Sequence, residues 1–226
     1  MHVVMLLYPR MTQLDLTGPF EVLTRFKELT LHLVWKNTDP IVDSGGLRLL
    51  PTTSFSDCPQ ADLLFVPGGP GQISLMEDGE VLDFLRQQAR QASYVTSVCT
   101  GSLVLAAAGL LTGYRAACHW LSLDQLAYFG AVPVAERVVI DRNRITGAGV
   151  SSGIDFALVL AAKLFGEDRA KCVQLAMEYD PKPPFASGSA VTAEPETVKT
   201  VRAENAEFQE QRVIVARRVA AALQKT

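Results

Sequence analysis

Apolar residues cluster along this chain in short saturated runs separated by polar punctuation. The first run, within Met1-His2-Val3-Val4-Met5-Leu6-Leu7-Tyr8, is too short for a membrane span or a signal-peptide core and carries no leading positive charge, so it reads as a buried strand. Leu31 to Trp35, Ala61 to Val66 and Ser93 to Val98 repeat the pattern and predict further strands, the first of them buried on both faces. Helical spacing falls between and after these runs. Gly18 as cap, Pro19 at the first helical position, Glu21 in the first turn and the spacing Phe20, Leu23, Phe26 predict a helix that opens at Pro19. Further helices are expected over 81–90, over 121–129 with Gly130 as stop, over 154–165, over 167–179 and over 203–224, with a hairpin over 138–146. Asp43-Ser44-Gly45-Gly46 predicts a turn between two short extended pieces, and Pro67-Gly68-Gly69-Pro70-Gly71 is a loop. Strand and helix alternate, which predicts an α/β fold with a mostly parallel, doubly wound sheet. Sites in such folds gather at the C-terminal edge of the strands.

Composition adds limits. With 226 residues, 48% hydrophobic and 20% charged, one domain with a full core is the expectation, 181–226 forming a connector and helical extension packed on it. A net charge of −3 offers no basic footprint for nucleic acid and no polybasic patch for an acidic membrane. The four cysteines, Cys58, Cys99, Cys118 and Cys172, form no Cys-x-x-Cys pair and have no histidine at zinc-ligand spacing. Neither a metal nor a redox dithiol is expected, and a reducing cytoplasm fits the usage. The Arg and Glu content of the closing helix reads as a solvated or subunit-facing surface.

One stretch concentrates chemistry. Cys99 falls where the strand ending at Val98 meets an Ala/Leu-rich helix, with the small residues Ser97 and Gly101 two positions to either side, the pattern of a nucleophile elbow. Unpaired N–H groups at the start of that helix favour ionisation of the thiol. The Gly68-Gly69 turn lacks the Lys and Ser/Thr of a phosphate cradle; it reads either as a backbone N–H donor beside the cysteine or as a plain tight turn. Asp15, placed just ahead of the first helix, has a local reading as a carboxylate at a helix N-terminus and also reaches the same sheet edge. His119 reads equally as a base for Cys99 or as a histidine satisfying a backbone carbonyl. The Gly/Ser segment over 147–153 reads as pocket wall or as helix cap.

Asp15-Leu16-Thr17-Gly18-Pro19, Pro67-Gly68-Gly69, Ser97-Val98-Cys99-Thr100-Gly101, His119-Trp120 and Gly153-Ile154-Asp155 together resemble the ThiJ/PfpI superfamily. The resemblance implies a flavodoxin-like, class I glutamine amidotransferase-like sandwich with helices on both faces of the sheet. Within the superfamily the chain looks most like the isonitrile hydratases, a branch that the stretch Glu178-Tyr179-Asp180-Pro181 to Pro184-Phe185 and the helical tail also fit. Protease-like members follow the cysteine with His, whereas this chain has Thr100; regulators that share the domain append a helix-turn-helix module, for which no room is left before Thr226.

The resemblance implies Cys99 as nucleophile, Asp15 as its acidic partner, the N–H groups of Gly69 and Thr100 as donors, a homodimer, and neither cofactor nor metal. Gly68, His119, Trp120 and Ile154 are then candidates for support or pocket wall, Trp120 and Ile154 having core readings as well. Electrostatics adds that a thiolate beside an ionised carboxylate is repelled, so Asp15 is expected to be protonated when Cys99 is ionised. That pair suits an isocyanide: addition of the thiolate, protonation of the same carbon to a thioimidate, then hydrolysis to an N-substituted formamide. Two other readings stand beside it, a cysteine redox sensor or stress protein oxidised at Cys99 to sulfinic acid, and a glyoxalase-like or amide-hydrolysing member of the superfamily.

Overall fold

Val3, Val4, Met5 and Leu6 have no exposed surface, and the strand they form, β1 (His2–Leu6), is central to the sheet. The protein is seen in a computed structural model, which describes residues 1–223. In chain order there follow α1 (Gln13–Leu23), β2 (Thr30–Trp35), β3 (Ile41–Val42), β4 (Arg48–Leu49), β5 (Thr53–Ser54), β6 (Leu63–Val66), α2 (Gln72–Leu75), α3 (Gly79–Ala89), β7 (Tyr94–Val98) and α4 (Gly101–Ala107). Then come β8 (Arg115–Ala116), a 3₁₀ helix (Leu123–Phe129), β9 (Val132–Pro133), β10 (Val138–Asp141), β11 (Arg144–Gly147), α5 (Ser152–Phe165), α6 (Glu167–Ala176), α7 (Pro195–Glu204) and α8 (Ala206–Leu223).

The main sheet has the order β10-β11-β7-β6-β1-β2-β5, and every pairing in it is parallel except that of β10 with β11. From β1 the chain crosses through α1 to β2 on one side. From β6, the neighbour of β1 on the other side, it crosses through α2 and α3 to β7. The direction of winding therefore reverses between β1 and β6, and the loops after β1, β6 and β7 open into one crevice. Helices α1, α5 and α6 pack together, as do α2, α3, α4 and α8, which gives the mostly parallel sheet flanked by helices that the strand and helix pattern predicts.

Four sequence expectations need correction. Helix α1 starts at Gln13, so Pro19 lies inside it and Asp15 sits in its first turn, not ahead of it. A proline is tolerated there because it only deprives the Asp15 carbonyl of a donor, and its ring fills the space left by Gly153, where a Cβ would lie 2.9 Å from Pro19 Cδ. Strand β2 is buried only at Val34 and Trp35; β5 pairs with just those two residues, which leaves Leu31, His32 and Leu33 half-exposed near the sheet edge. Residues 123–129 wind as a 3₁₀ helix, closed by Gly130 at φ 74°. The closing helix is two helices divided at Asn205, and α8 turns Arg212, Ala216 and Ala220 inward, so it is not merely a solvated surface; the last predicted helical residue, Gln224, lies outside the described residues. No helix among the described residues is long and apolar enough to cross a membrane.

Candidate functional site

Cys99 follows β7 directly and precedes Thr100, the N-cap of α4, with a left-handed backbone at φ 55°. A side chain there costs about 1–2 kcal/mol, so the surroundings must hold it. Its N–H donates to both Gly147 O and Ala148 O, at 3.1 and 2.7 Å, which ties the elbow to the end of β11. The hydroxyls of Ser97 and Ser102 pair at 2.9 Å, and Ser102 donates to Ala117 O at 2.6 Å. Gly101 is required because a Cβ would fall 2.2 Å from Val66 O. The small residues flanking the cysteine thus serve close backbone packing under a strained turn.

Asp15 enters from α1 without any exposed surface. Its Oδ2 accepts from Gly68 N at 2.9 Å, while Oδ1 has no hydrogen-bond partner of ordinary geometry, the group facing the carboxyl being the Cys99 thiol. Gly68 packs against both: a Cβ would lie 2.8 Å from Asp15 Oδ2, 2.8 Å from Cys99 Cβ and 2.5 Å from Thr100 N. The Gly-rich loop is pinned from the segment between β1 and α1, by Tyr8 Oη donating to Pro67 O at 2.9 Å and Thr12 N donating to Gly68 O at 2.9 Å.

Burial pushes the Asp15 carboxyl from 3.8 up to about 7, against the opposing effect of the Cys99 thiol and the Gly68 N–H that face it. The Cys99 thiol is also pushed well above its usual range, by burial first and then by Asp15 and Cys118, with the Thr100 N–H as the main opposing influence. This corrects the expectation of an easily ionised thiol: the helix-end N–H is present, but removal from water and an acidic neighbour outweigh it. Two groups that each resist ionisation in contact favour a single shared negative charge.

Above the pair lies a pocket of about 130 Å³, lined by Thr12, Gly69, Pro70, Cys99, Thr100, His119 and Leu121, and by Val150, Asn205, Phe208, Gln209 and Arg212. His119 joins it, with Nδ1 accepting from Leu121 N at 3.4 Å. Burial, then Arg212, holds this imidazole below its usual range, and Nδ1, as the acceptor of the Leu121 N–H, leaves the ring proton to Nε2. Gly69 has φ 135° and donates its N–H to Thr100 Oγ1 at 3.0 Å. Trp120 and Ile154 are not among the lining residues. Trp120 lies under the Arg202 guanidinium, 5.1 Å from the ring centroid, and Ile154 packs on α1, where a Cβ at Gly18 would lie 3.3 Å from its Cγ1. No group of three or more His, Cys, Asp or Glu among the described residues could hold a metal ion.

The tail contributes what sequence reasoning missed. Arg212 is 3% exposed; Nε donates to Gln72 Oε1 at 2.8 Å and Nη1 to Ser122 Oγ at 2.9 Å, with the Phe208 ring centroid 4.6 Å from its Cζ. The one available signal was its place between apolar positions, Phe208, Val215 and Val219, at helical spacing.

A cysteine on a strained strand-to-helix elbow, set at the switch point of a parallel sheet and facing a buried carboxyl, defines the class: an α/β protein with a cysteine elbow at the edge of its sheet. The chain belongs to the DJ-1/PfpI family, whose profile matches residues 1–163. Isonitrile hydratase of Pseudomonas putida is 52% identical over 223 residues, which cover 99% of this chain and 98% of that protein. The crystal structure of a ThiJ/PfpI family protein from Pseudomonas syringae superposes with a TM-score of 0.93 at 44% identity, covering 95% of this chain and 90% of that one. Drosophila melanogaster DJ-1beta superposes with a TM-score of 0.69 at 25% identity, covering 78% of this chain and 97% of its own.

Proposed function

We propose that this protein is an enzyme that hydrates isocyanides to N-substituted formamides, with Cys99 as nucleophile and Asp15 as general acid and base. The contact between a buried thiol and a carboxyl raised to about 7 carries the reading, because one shared proton is what the chemistry consumes and regenerates. Full-length similarity to an isonitrile hydratase supports the substrate class. The reactive state is Cys99 thiolate with Asp15 protonated. Sulfur bonds to the terminal isocyanide carbon, Asp15 delivers its proton to that carbon, and the product is a neutral thioimidate beside an Asp15 carboxylate. The carboxylate then takes a proton from water as hydroxide adds to the carbon. The second water hydrogen ends on nitrogen, the carbon–sulfur bond breaks, and a formamide leaves with the thiolate and the protonated Asp15 restored.

Thr100 N–H, directed at the sulfur, stabilises the thiolate; Gly69 N–H becomes available to substrate only when the Thr100 hydroxyl that holds it turns away. Neutral His119 supplies a donor to the pocket. The same reading places 181–226 as an extension of a single domain and the protein as a homodimer in a reducing cytoplasm, which suits four free cysteines. The test is formamide production from cyclohexyl isocyanide by wild type and Cys99→Ala: turnover lost in the variant supports the reading, and unchanged turnover refutes the mechanism. An inactive wild type whose Cys99 gains oxygen selectively with peroxide favours the redox reading instead.

A further inference from the structure

Arg212 is a buried cation with no ion pair among the described residues. Its hydrogen-bond partners, Gln72 and Ser122, are neutral, and Ser122 in turn donates to Gln209 Oε1 at 3.0 Å. Removing a guanidinium from water without a countercharge costs several kcal/mol, so an anion is missing from this arrangement. Three of its five N–H groups have no partner among the described residues, and the residue lines the pocket that holds Cys99. The other groups facing it are Tyr8 in the turn after β1, Cys99 at the elbow and Cys118 after β8; Asp15 from α1 and His119 complete the titratable set around the pocket. Burial holds Tyr8 and Cys118 neutral, Cys118 being pushed up to about 12, and His119 is neutral as well. Among the described residues that line the pocket, Arg212 carries the only fixed charge.

The reaction supplies the missing anion. Thiolate beside protonated acid, and thioimidate beside carboxylate, both carry one negative charge, so the pair is a monoanion from the resting state through the intermediate. We propose that Arg212, delivered by α8, is the countercharge that holds the Cys99–Asp15 pair in its monoanionic state, a positioning residue that acts through its field and not by touching the reacting carbon. This rests on the reading that Cys99 and Asp15 react as a pair. The family profile ends at residue 163, and Asn205, Phe208, Gln209 and Arg212 all lie beyond it. The tail therefore both closes the pocket and sets its charge.

Alkylation of Cys99 by iodoacetamide, followed against pH on the Cys99 peptide, reads the pair without requiring turnover; Arg212→Gln and Arg212→Lys are compared with wild type. Loss of a nearby positive charge disfavours the monoanion, so the alkylation midpoint in Arg212→Gln moves up by about one pH unit and reactivity below the midpoint falls about ten-fold. Arg212→Lys keeps the charge and restores most of the wild-type midpoint, while its kcat/KM on cyclohexyl isocyanide stays nearer to wild type than that of Arg212→Gln. A wild-type profile in Arg212→Gln overturns the inference, as does a lysine variant displaced as far as the glutamine one. If Arg212→Gln does not fold, the lysine variant alone decides, since an upward shift with the charge retained excludes the field. Should Arg212→Gln lose only turnover of isocyanoacetate, with cyclohexyl isocyanide turnover and the alkylation profile unchanged, the guanidinium is a substrate anchor and the inference falls. Failure of the hydration reading looks different: Cys99 alkylates with the expected profiles, yet wild type makes no formamide.

Discussion

Replacing Asp15 by Asn should make the folded protein more stable at neutral and alkaline pH. The carboxyl titrates near 7 in the folded state and at 3.8 unfolded, so across that window the native protein holds a proton that the unfolded chain has released. Stability falls with rising pH wherever the native state binds more protons, by about 1.4 kcal/mol per pH unit for one full proton. The cost starts near pH 4, is complete just above pH 7 and has a ceiling of about 4 kcal/mol. Proton counting is the same whether the carboxyl or the thiol gives up the proton, so sharing within the pair leaves the argument intact. Asn is isosteric, does not titrate and still accepts from Gly68 N–H, which in the wild type donates to Oδ2 at 2.9 Å. Urea denaturation of both proteins at pH 4.5 and pH 8 measures the effect. The advantage of Asp15→Asn should widen by about 3 kcal/mol between these pH values, equivalent to about 6–12 °C in Tm for a chain of this size. An advantage that does not change with pH, or none at pH 8, refutes the raised carboxyl.

Three further outcomes follow from the same geometry. The pH profile of kcat/KM should rise through an acidic limb at about 7, where the pair loses its first proton, and a limb near 4 contradicts the coupling of Asp15 to Cys99. Because Cys99 sits at φ 55°, Cys99→Gly should be about 1 kcal/mol more stable than Cys99→Ala by thermal melting, although neither turns over substrate; equal stabilities remove the strain. Gly101→Ala should lose about 3 kcal/mol in chemical denaturation, since its Cβ meets Val66 O at 2.2 Å and Pro67 O at 2.7 Å, both rigid backbone; a loss below about 0.5 kcal/mol shows that the elbow can move.

Strands β1 and β6 were legible because burial on both faces leaves nearly unbroken apolar runs, and β7 with its elbow was legible from β-branched residues that run into the small Ser97 and Gly101 on either side of Cys99. The first turn of α1 was hidden by Pro19, whose usual place is the start of a helix; what permits it mid-helix is Gly153, more than a hundred residues away in sequence. The ionisation of Cys99 was misjudged for a similar reason. A helix end is visible in the local sequence, whereas desolvation and the approach of Asp15 come only from the packed fold. Arg212 was read as surface because a lone arginine among Glu and Arg residues carries no mark of burial; its inward face is set by Gln72 and Ser122, each far from it along the chain.

The measurement that bears most directly on the central claim is the intact mass of enzyme quenched during turnover of cyclohexyl isocyanide, with the modified residue located by peptide mapping. A gain equal to one isocyanide on Cys99, absent in Cys99→Ala and decaying as N-cyclohexylformamide accumulates, is the predicted result. Formamide accumulating from wild type with no adduct, and from Cys99→Ala at a comparable rate, would contradict it.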